Sequence, residues 1–493
     1  MRLAGRWSRA LMAFVGLAPL VGVALLAAAP AADLEGPFVG NVTSDSAVIW
    51  WRSSTPAPGA VVIANRTLRD DQPPFEVTVT GLEPGKTYQY HVELDEGGRL
   101  PGQGDYSLRT AAGRGTEAEF RFAVICDSRG TKASEPVNVP VLQALLKHAK
   151  SRSAQFVVFP GDLAFGYCND AAEYRRELRV WKSAAADLMH EIPVYLTMGN
   201  HDVLIHPDRD RFPSTLLRVV SLSNHGPYDL DGAMVGGKLL TGEEAFAQEF
   251  VNPSNSPQPE NAGAPPYAET CYSFDWGNCH FVVLNTNYWV GTRSFPRVPG
   301  DPCRLYERGN PEGRIMDRQM QWLREDLRRA RQAGARHIFV FGHEPAFPVG
   351  AHVDDAMYYE GNATLSLKRD IRARQHQFWQ MLSDNGVLAG FFGDEHNYSR
   401  ALIGPAGDKT YDPPIWHIIT GGAGAPASSV RRTDLPWSDS IRVFEDRRHY
   451  CLVTVRGRQV TLEVFGLPAD FDPATTQPKF EVIDRVEDMT ARD

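Results

Sequence analysis

Six residues able to bind a metal stand at the ends of five apolar runs: Asp127, Asp162, Asn200, His343, and the pair Asp394 and His396. Carboxylate, carboxamide and imidazole donors brought to one place could hold two metal ions and use them to activate water, so the pattern points to a two-metal hydrolase. Mixed nitrogen and oxygen donors suit manganese, iron or zinc better than calcium or magnesium.

The runs that carry these residues are short, β-branched or aromatic, and closed by glycine or a polar residue. They predict buried strands over 121–126, 156–160, 193–198, 337–341 and 387–392. Between them the apolar spacing is helical, over 139–150, 171–188, 317–333 and 372–384, with a short helix over 242–250. Strand, ligand and helix in repetition gather the ligands at one edge of a sheet, where open α/β sheets place their sites. Two further runs, 450–455 and 460–465, close this unit, which spans 118–466, and the polar stretch 467–493 reads as a disordered tail.

With 493 residues, 43% of them hydrophobic, the chain has material for two domains with substantial cores. Residues 1–32 read as a signal peptide: Arg2, Arg6 and Arg9 precede an uncharged stretch over 10–29 and the small-residue run Ala27-Ala-Ala-Pro-Ala-Ala32. The uncharged stretch is also about long enough to span a bilayer, so an uncleaved anchor is the competing reading; Pro19 and the alanine run favour removal. The expectation is a secreted or periplasmic protein with no membrane attachment once the signal is gone. Removing those three arginines takes the formal charge from −9 to −12, an acidic balance that argues against nucleic acid as a partner. Six cysteines lack the paired spacing of a zinc site. Cys126, inside a buried strand, is expected to be a free thiol, Cys271 and Cys279 flank a hairpin, and no bridge is assigned. The oligomeric state is not legible.

Residues 36–113 have a different texture, with short strands at regular spacing, no helical period, and turns such as Glu83-Pro84-Gly85. They predict a small β-sandwich, followed by a linker over 111–117. The run Leu82-Glu-Pro-Gly-Lys-Thr-Tyr-Gln-Tyr90 resembles the corner of a fibronectin type III module, in which a tyrosine fastens the sandwich.

With both halves in view, the chain resembles calcineurin-like metallophosphoesterases of the purple-acid-phosphatase type over residues of about 36–465. The resemblance is carried by Gly161-Asp162, Gly199-Asn200-His201-Asp202, Gly342-His343 and Gly393-Asp-Glu-His-Asn-Tyr-Ser-Arg400, in order and after strands. It implies a fibronectin-like β-sandwich followed by a four-layer αββα catalytic domain. It also implies that Asp162 bridges two divalent or trivalent ions, one held by Asp127, Asp162 and His396, the other by Asp162, Asn200, His343 and residue 394. Such a pair, about 3.5–4 Å apart, lowers the pKa of a shared water towards about 7, and the hydroxide attacks phosphorus in line. His201 is then no ligand but faces the phosphate, stabilising charge or protonating the leaving oxygen, with Asp202 placed to orient its other ring nitrogen. His352 resembles the extra histidine that serves the leaving group; a solvated loop histidine is the competing reading.

Three positions depart from the family's pattern. Asp-x-His or Asp-x-Gly has become Asp127-Ser128-Arg129, and a guanidinium cannot bind a metal, so the first site loses a ligand or Arg129 contacts phosphate instead. The tyrosine that colours purple enzymes is replaced by Phe165, with Tyr167 out of register, which predicts a colourless protein. Gly-His-x-His has become Gly393-Asp394-Glu395-His396, where aspartate can replace histidine as a ligand and Glu395 is expected to point away. The segments 204–269 and 354–370 follow ligands and are expected to wall a cleft for a small-molecule phosphate ester. Monoester and diester stay open, and Arg129 is a candidate to supply charge to a terminal phosphate. The rival reading is a degenerate member of the family, retained as a binding or surface-interaction module.

Overall fold

The computed structural model describes residues 34–492 apart from 205–232, 236–237, 290–312, 361–364 and positions 54, 96, 102, 169, 263, 470 and 474. The signal-like segment, Cys303 and much of the 204–269 wall lie outside the described residues.

Branched and aromatic residues with a period of two build two sheets. One runs in the order Val194–Leu196, Phe156–Phe159, Phe120–Val124, His449–Arg456, Gln459–Gly466 and Glu481–Val486. The other runs Tyr272–Trp276, Cys279–Val283, His337–Phe341, Ala389–Phe392, Lys409–Thr420, Tyr398–Ala406 and Ile441–Glu445. The ligand-bearing strands are mutually parallel within each sheet, so their C-terminal ends open on one side.

The sheets face each other through phenylalanines. Phe122 and Phe156 of the first meet Phe281, Phe339, Phe341 and Phe391 of the second at ring-centroid distances of 5.1–6.5 Å. Alternate residues turn outwards. Ala123, Val157 and Phe159 pack with the helices Val139–Ser151 and Ala171–Met189, while Val282, Ile338 and Val340 pack with Asp317–Gln332 and Leu365–Asp384. The result is the expected αββα stack. No helix among the described residues is long and apolar enough to cross a membrane.

The N-terminal β-rich region forms a three-stranded and a five-stranded sheet over one core. The Tyr88 hydroxyl accepts the Glu83 N–H at 2.8 Å and so pins the turn at Glu83-Pro84-Gly85. The linker expected over 111–117 is no free tether. Ala111 is fully buried, its N–H reaches the Thr43 carbonyl at 2.9 Å, Gly115 N–H reaches Gly277, and one apolar cluster runs from Trp51 and Tyr90 into the inter-sheet core. Tyr90 and Tyr195 hydroxyls donate across the junction to the His190 and Val42 carbonyls at 2.6 and 3.0 Å. Lys182, wholly buried, lies 2.7 Å from both Glu35 and Glu249.

The expectation of a disordered tail is corrected. Glu481–Val486 adds an antiparallel edge strand, Met489 is buried, and its carbonyl accepts the Trp416 indole N–H at 2.8 Å. Polarity misled because Asp484 is polar for a partner: it accepts from Tyr398 Oη at 2.6 Å and from Arg400 Nε and Nη2 at 2.6 and 3.0 Å. Tyr398 and Arg400, in the last shared motif, thus hold the C-terminal strand. Replacing Asp484 with alanine strands a largely buried guanidinium and should lower the unfolding free energy by about 3 kcal/mol, read by denaturant titration.

His280 sits between Asp275 and Asp326, with Nδ1 and Nε2 at 2.7 and 2.8 Å from their carboxylates. Burial alone would lower its pKa, but the two hydrogen-bonded carboxylates raise it to about 9. Because the folded value exceeds the unfolded one of about 6.5, the contribution is complete below pH of about 6.5 and fades as pH rises through about 9. The melting temperature should therefore fall more between pH 7 and about 10 in the native protein than in His280→Gln.

Candidate metal centre

The centre is built where strands end and backbone turns sharply. Asp127, Asp162 and Asp394 all have positive φ, at 64°, 56° and 66°, a region aspartate tolerates better than most residues because its short side chain bonds locally. Gly161 has φ 103°, and a Cβ there would stand 2.5 Å from Gly199 N and 2.7 Å from His343 Nδ1. The glycine directly before Asp162 is thus demanded by crowding.

Three histidines are oriented in the same way. Nδ1 of His343, His201 and His396 faces the carbonyl of Pro160 at 2.9 Å, Phe165 at 2.5 Å and Pro426 at 2.8 Å. A carbonyl only accepts, so each Nδ1 carries a proton and each Nε2 is turned to the centre, where it can bind a cation when it carries no proton itself.

His343 Nε2 is the hub of one donor group. Asp162 Oδ1 and Asn200 Oδ1 lie 3.3 Å from it and Asp394 Oδ1 lies 3.9 Å away. Separations of this size arise when donors share an ion at bonds of about 2.0–2.2 Å. Asp127, Asp162 and His396 form a second group, with His396 Nε2 3.7 Å from Asp127 Oδ1. Asp162 belongs to both. The buried Asp127 Oδ2 and Asp394 Oδ2 have no hydrogen-bond partner among the described residues, so the carboxylates are short of positive charge, and the donors fit a metal.

The electrostatics show the same shortage. Burial would raise the pKa of Asp162, but His201, His343, Arg129 and the His201 N–H outweigh it and hold it at about 2. Burial raises Asp127 to about 6. His343 goes up to about 10, burial being overcome by Asp162 and Asp127, while His201 and His396 are pushed down by burial to about 4 and about 3.

The remaining expected residues fall into place unevenly. Asp202 does not orient the His201 ring; its carboxylate accepts Leu163 N–H at 3.0 Å and Gly199 N–H at 2.9 Å, tying the Asp162 and Asn200 turns together. The backbone carbonyl of Phe165 takes the role expected of Asp202. His352 is drawn into the centre, its Nδ1 3.1 Å from Asp355 and 3.4 Å from Asp394. Glu395 points away, accepting the N–H groups of Val349, Gly350 and His352 at 3.0, 2.7 and 3.3 Å. Arg129 enters the second donor group, Nε 3.4 Å from Asp162 Oδ2 and Nη2 3.5 Å from His396 Nε2.

Several positioning residues escaped the sequence reading. Tyr167 Oη accepts from Asn200 Nδ2 at 2.9 Å, which turns Asn200 Oδ1 towards the centre, and its ring lies 4.1 Å from that of His201. Thr286 Oγ1 accepts the His343 and Glu344 N–H groups at 3.1 and 3.2 Å. Ser128 Oγ donates to Leu163 O at 2.8 Å and accepts from Trp181 Nε1 at 3.1 Å. The only signal for them was adjacency to ligands or to strand ends. Cys126, as expected, is a buried free thiol, and Cys168, Cys271, Cys279 and Cys451 are free as well.

Substituting Glu395 with alanine would leave three N–H groups without an acceptor and release the His352 loop. The expected loss is about 3 kcal/mol, measured by chemical unfolding, with faster amide exchange over 349–352.

The sequence profile of the calcineurin-like phosphoesterases matches residues 120–398, and that of a domain of unknown function matches 32–110. Among solved structures, a purple acid phosphatase from yellow lupin (Lupinus luteus) seeds superposes with a TM-score of 0.59 at 14% identity, over 91% of this chain and 73% of its own. PhoD superposes with a TM-score of 0.63 at 15% identity, over 93% of this chain and 90% of its own. No curated protein sequence matches the chain.

Proposed function

The chain belongs to the calcineurin-like phosphoesterase family, and from that premise we propose that it is an exported, metal-dependent phosphoesterase acting on small phosphate mono- or diesters. The observation that carries this reading is the convergence of His343 Nε2, Asp162 Oδ1 and Asn200 Oδ1 within 3.3 Å contacts of the imidazole, at a strand-end edge shared with Asp394. Export rests on the N-terminal basic and apolar pattern. The fibronectin type III-like reading of the sandwich rests on the Tyr88 to Glu83 fastening.

A cation bound here would polarise a phosphoryl oxygen and acidify water. Were a second cation held as well, Asp127, Asp162 and His396 are the residues that would hold it, Asp162 being the donor common to both groups. The protein's own groups do the rest. His201 Nε2 lies 3.9 Å from Asp162 Oδ2 and faces the space between the donor groups. Burial disfavours the charged ring, and a phosphate anion beside it would favour it, so an anion bound there would draw a proton onto His201 Nε2. As water oxygen bonds to phosphorus, releasing one proton to solvent, and the bond to the leaving oxygen breaks, Nε2–H would pass its proton to that leaving oxygen and leave the ring neutral. Asp202 keeps the Asp162 and Asn200 turns in register, and Tyr167 keeps Asn200 Oδ1 aimed inwards.

The reading as a binding module draws on Arg129, which crowds one donor group. Hydrolysis separates the two readings. Metal-stripped protein reloaded with manganese, iron or zinc should hydrolyse nitrophenyl phosphate monoester or diester, and Asp162→Asn should lose more than about 100-fold in rate along with its bound metal. Full activity in that variant would refute the assignment.

A further inference from the structure

Asp127, Asp162 and His396 could hold an ion only in the space that the Arg129 guanidinium borders. Its Nε is 3.4 Å from Asp162 Oδ2 and its Nη2 3.5 Å from His396 Nε2, two of the three donors an ion would need. The residue cannot withdraw with its backbone. It opens the strand Arg129–Lys132, paired with Glu135–Val137, and Gly130 is pressed so closely on the Glu135 carbonyl that no Cβ would fit. A guanidinium is always charged and offers no lone pair, so beside an ion it is a repelling neighbour and never a ligand.

The guanidinium already supplies a positive charge beside Asp162, on the side where a second cation would stand. Arg129 Nε is buried beside Asp162 and makes no hydrogen bond among the described residues, so the donors of the guanidinium are not saturated by the protein.

We propose that Arg129 takes the place of one of the two cations: the centre holds a single divalent ion at Asp162, Asn200, His343 and Asp394. The guanidinium provides the other positive charge and hydrogen-bonds a phosphoryl oxygen of the substrate. This rests on the phosphoesterase reading and narrows it to a one-ion form, with Asp127 and His396 serving as neighbours of the guanidinium.

The test is manganese content by mass spectrometry together with low-temperature electron paramagnetic resonance, on the full mature chain loaded with excess manganese and desalted. The native protein should hold one equivalent with the spectrum of isolated Mn(II), as should Arg129→Lys. Arg129→His, which removes the fixed charge and adds a donor, should hold two, with an exchange-coupled spectrum. Two equivalents in the native protein, or one in Arg129→His, overturns the proposal while leaving a metal-dependent phosphoesterase intact; no manganese in any form overturns the proposal, and no hydrolysis with manganese, iron or zinc overturns the phosphoesterase reading as well. Should Arg129→His not fold, the native spectrum alone decides between isolated and coupled ions. Inorganic phosphate supplies the second readout: its inhibition constant should rise about tenfold or more in Arg129→Met and little in Arg129→Lys, and an unchanged constant in Arg129→Met refutes the contact with phosphoryl oxygen.

Discussion

Three buried aspartates, Asp127, Asp162 and Asp394, crowd one end of two parallel strand sets, and their mutual repulsion is the constraint to which the surrounding structure answers. Like charges in a low-dielectric interior are tolerated only with compensating cations and hydrogen bonds. Part of the compensation is built in: His343 lies between Asp162 and Asp394, His352 between Asp394 and Asp355, and Arg129 against Asp162. The rest, left open at Asp127 Oδ2 and Asp394 Oδ2, is what makes the centre receptive to a metal.

Around this charge cluster lies a shell of groups whose task is orientation. Carbonyls of Pro160, Phe165 and Pro426 fix three imidazole tautomers, while Asp202, Ser128 and Thr286 stitch the turns that carry the ligands. Glu395 anchors the loop that brings in His352. Such a shell keeps donors within reach of one another before any ligand arrives, which lowers the ordering cost of binding. The sandwich and the C-terminal strand extend the same logic outwards. Through Tyr90, Tyr195 and Lys182 on one side and Asp484 on the other, they brace the helices and strands on which the centre is mounted.

Much of this was legible in the residues. Strand runs ending in donors, with helices between them, were enough for an α/β unit with its candidate ligands at one sheet edge, because these depend on local periodicity and residue chemistry; the αββα stack came from the resemblance carried by the motif order. Asp202 and Tyr398 were less transparent. Asp202 follows His201 directly, yet in the turn at Gly199 its carboxylate faces two backbone N–H groups instead of the ring. Tyr398 and Arg400 stand in a shared motif but reach a strand 84 residues or more away. The tail itself looked polar because its key residue, Asp484, is polar for a buried partner.

By itself the sequence determined which chemistries were available: hard and borderline donors in quantity, together with a histidine that the family resemblance keeps out of the ligand set and an arginine where that resemblance expects another residue. Periodicity determined that the donors would end strands. Tertiary structure alone decided which of them meet, which ring nitrogen faces inwards, and that the guanidinium of Arg129 lies among the donors instead of in solvent. The physical reason is that hydrogen-bond direction and charge proximity belong to contacts between segments far apart in the chain. A sequence states the residue types that can make such contacts, but only the packing of two sheets sets the distances at which they do.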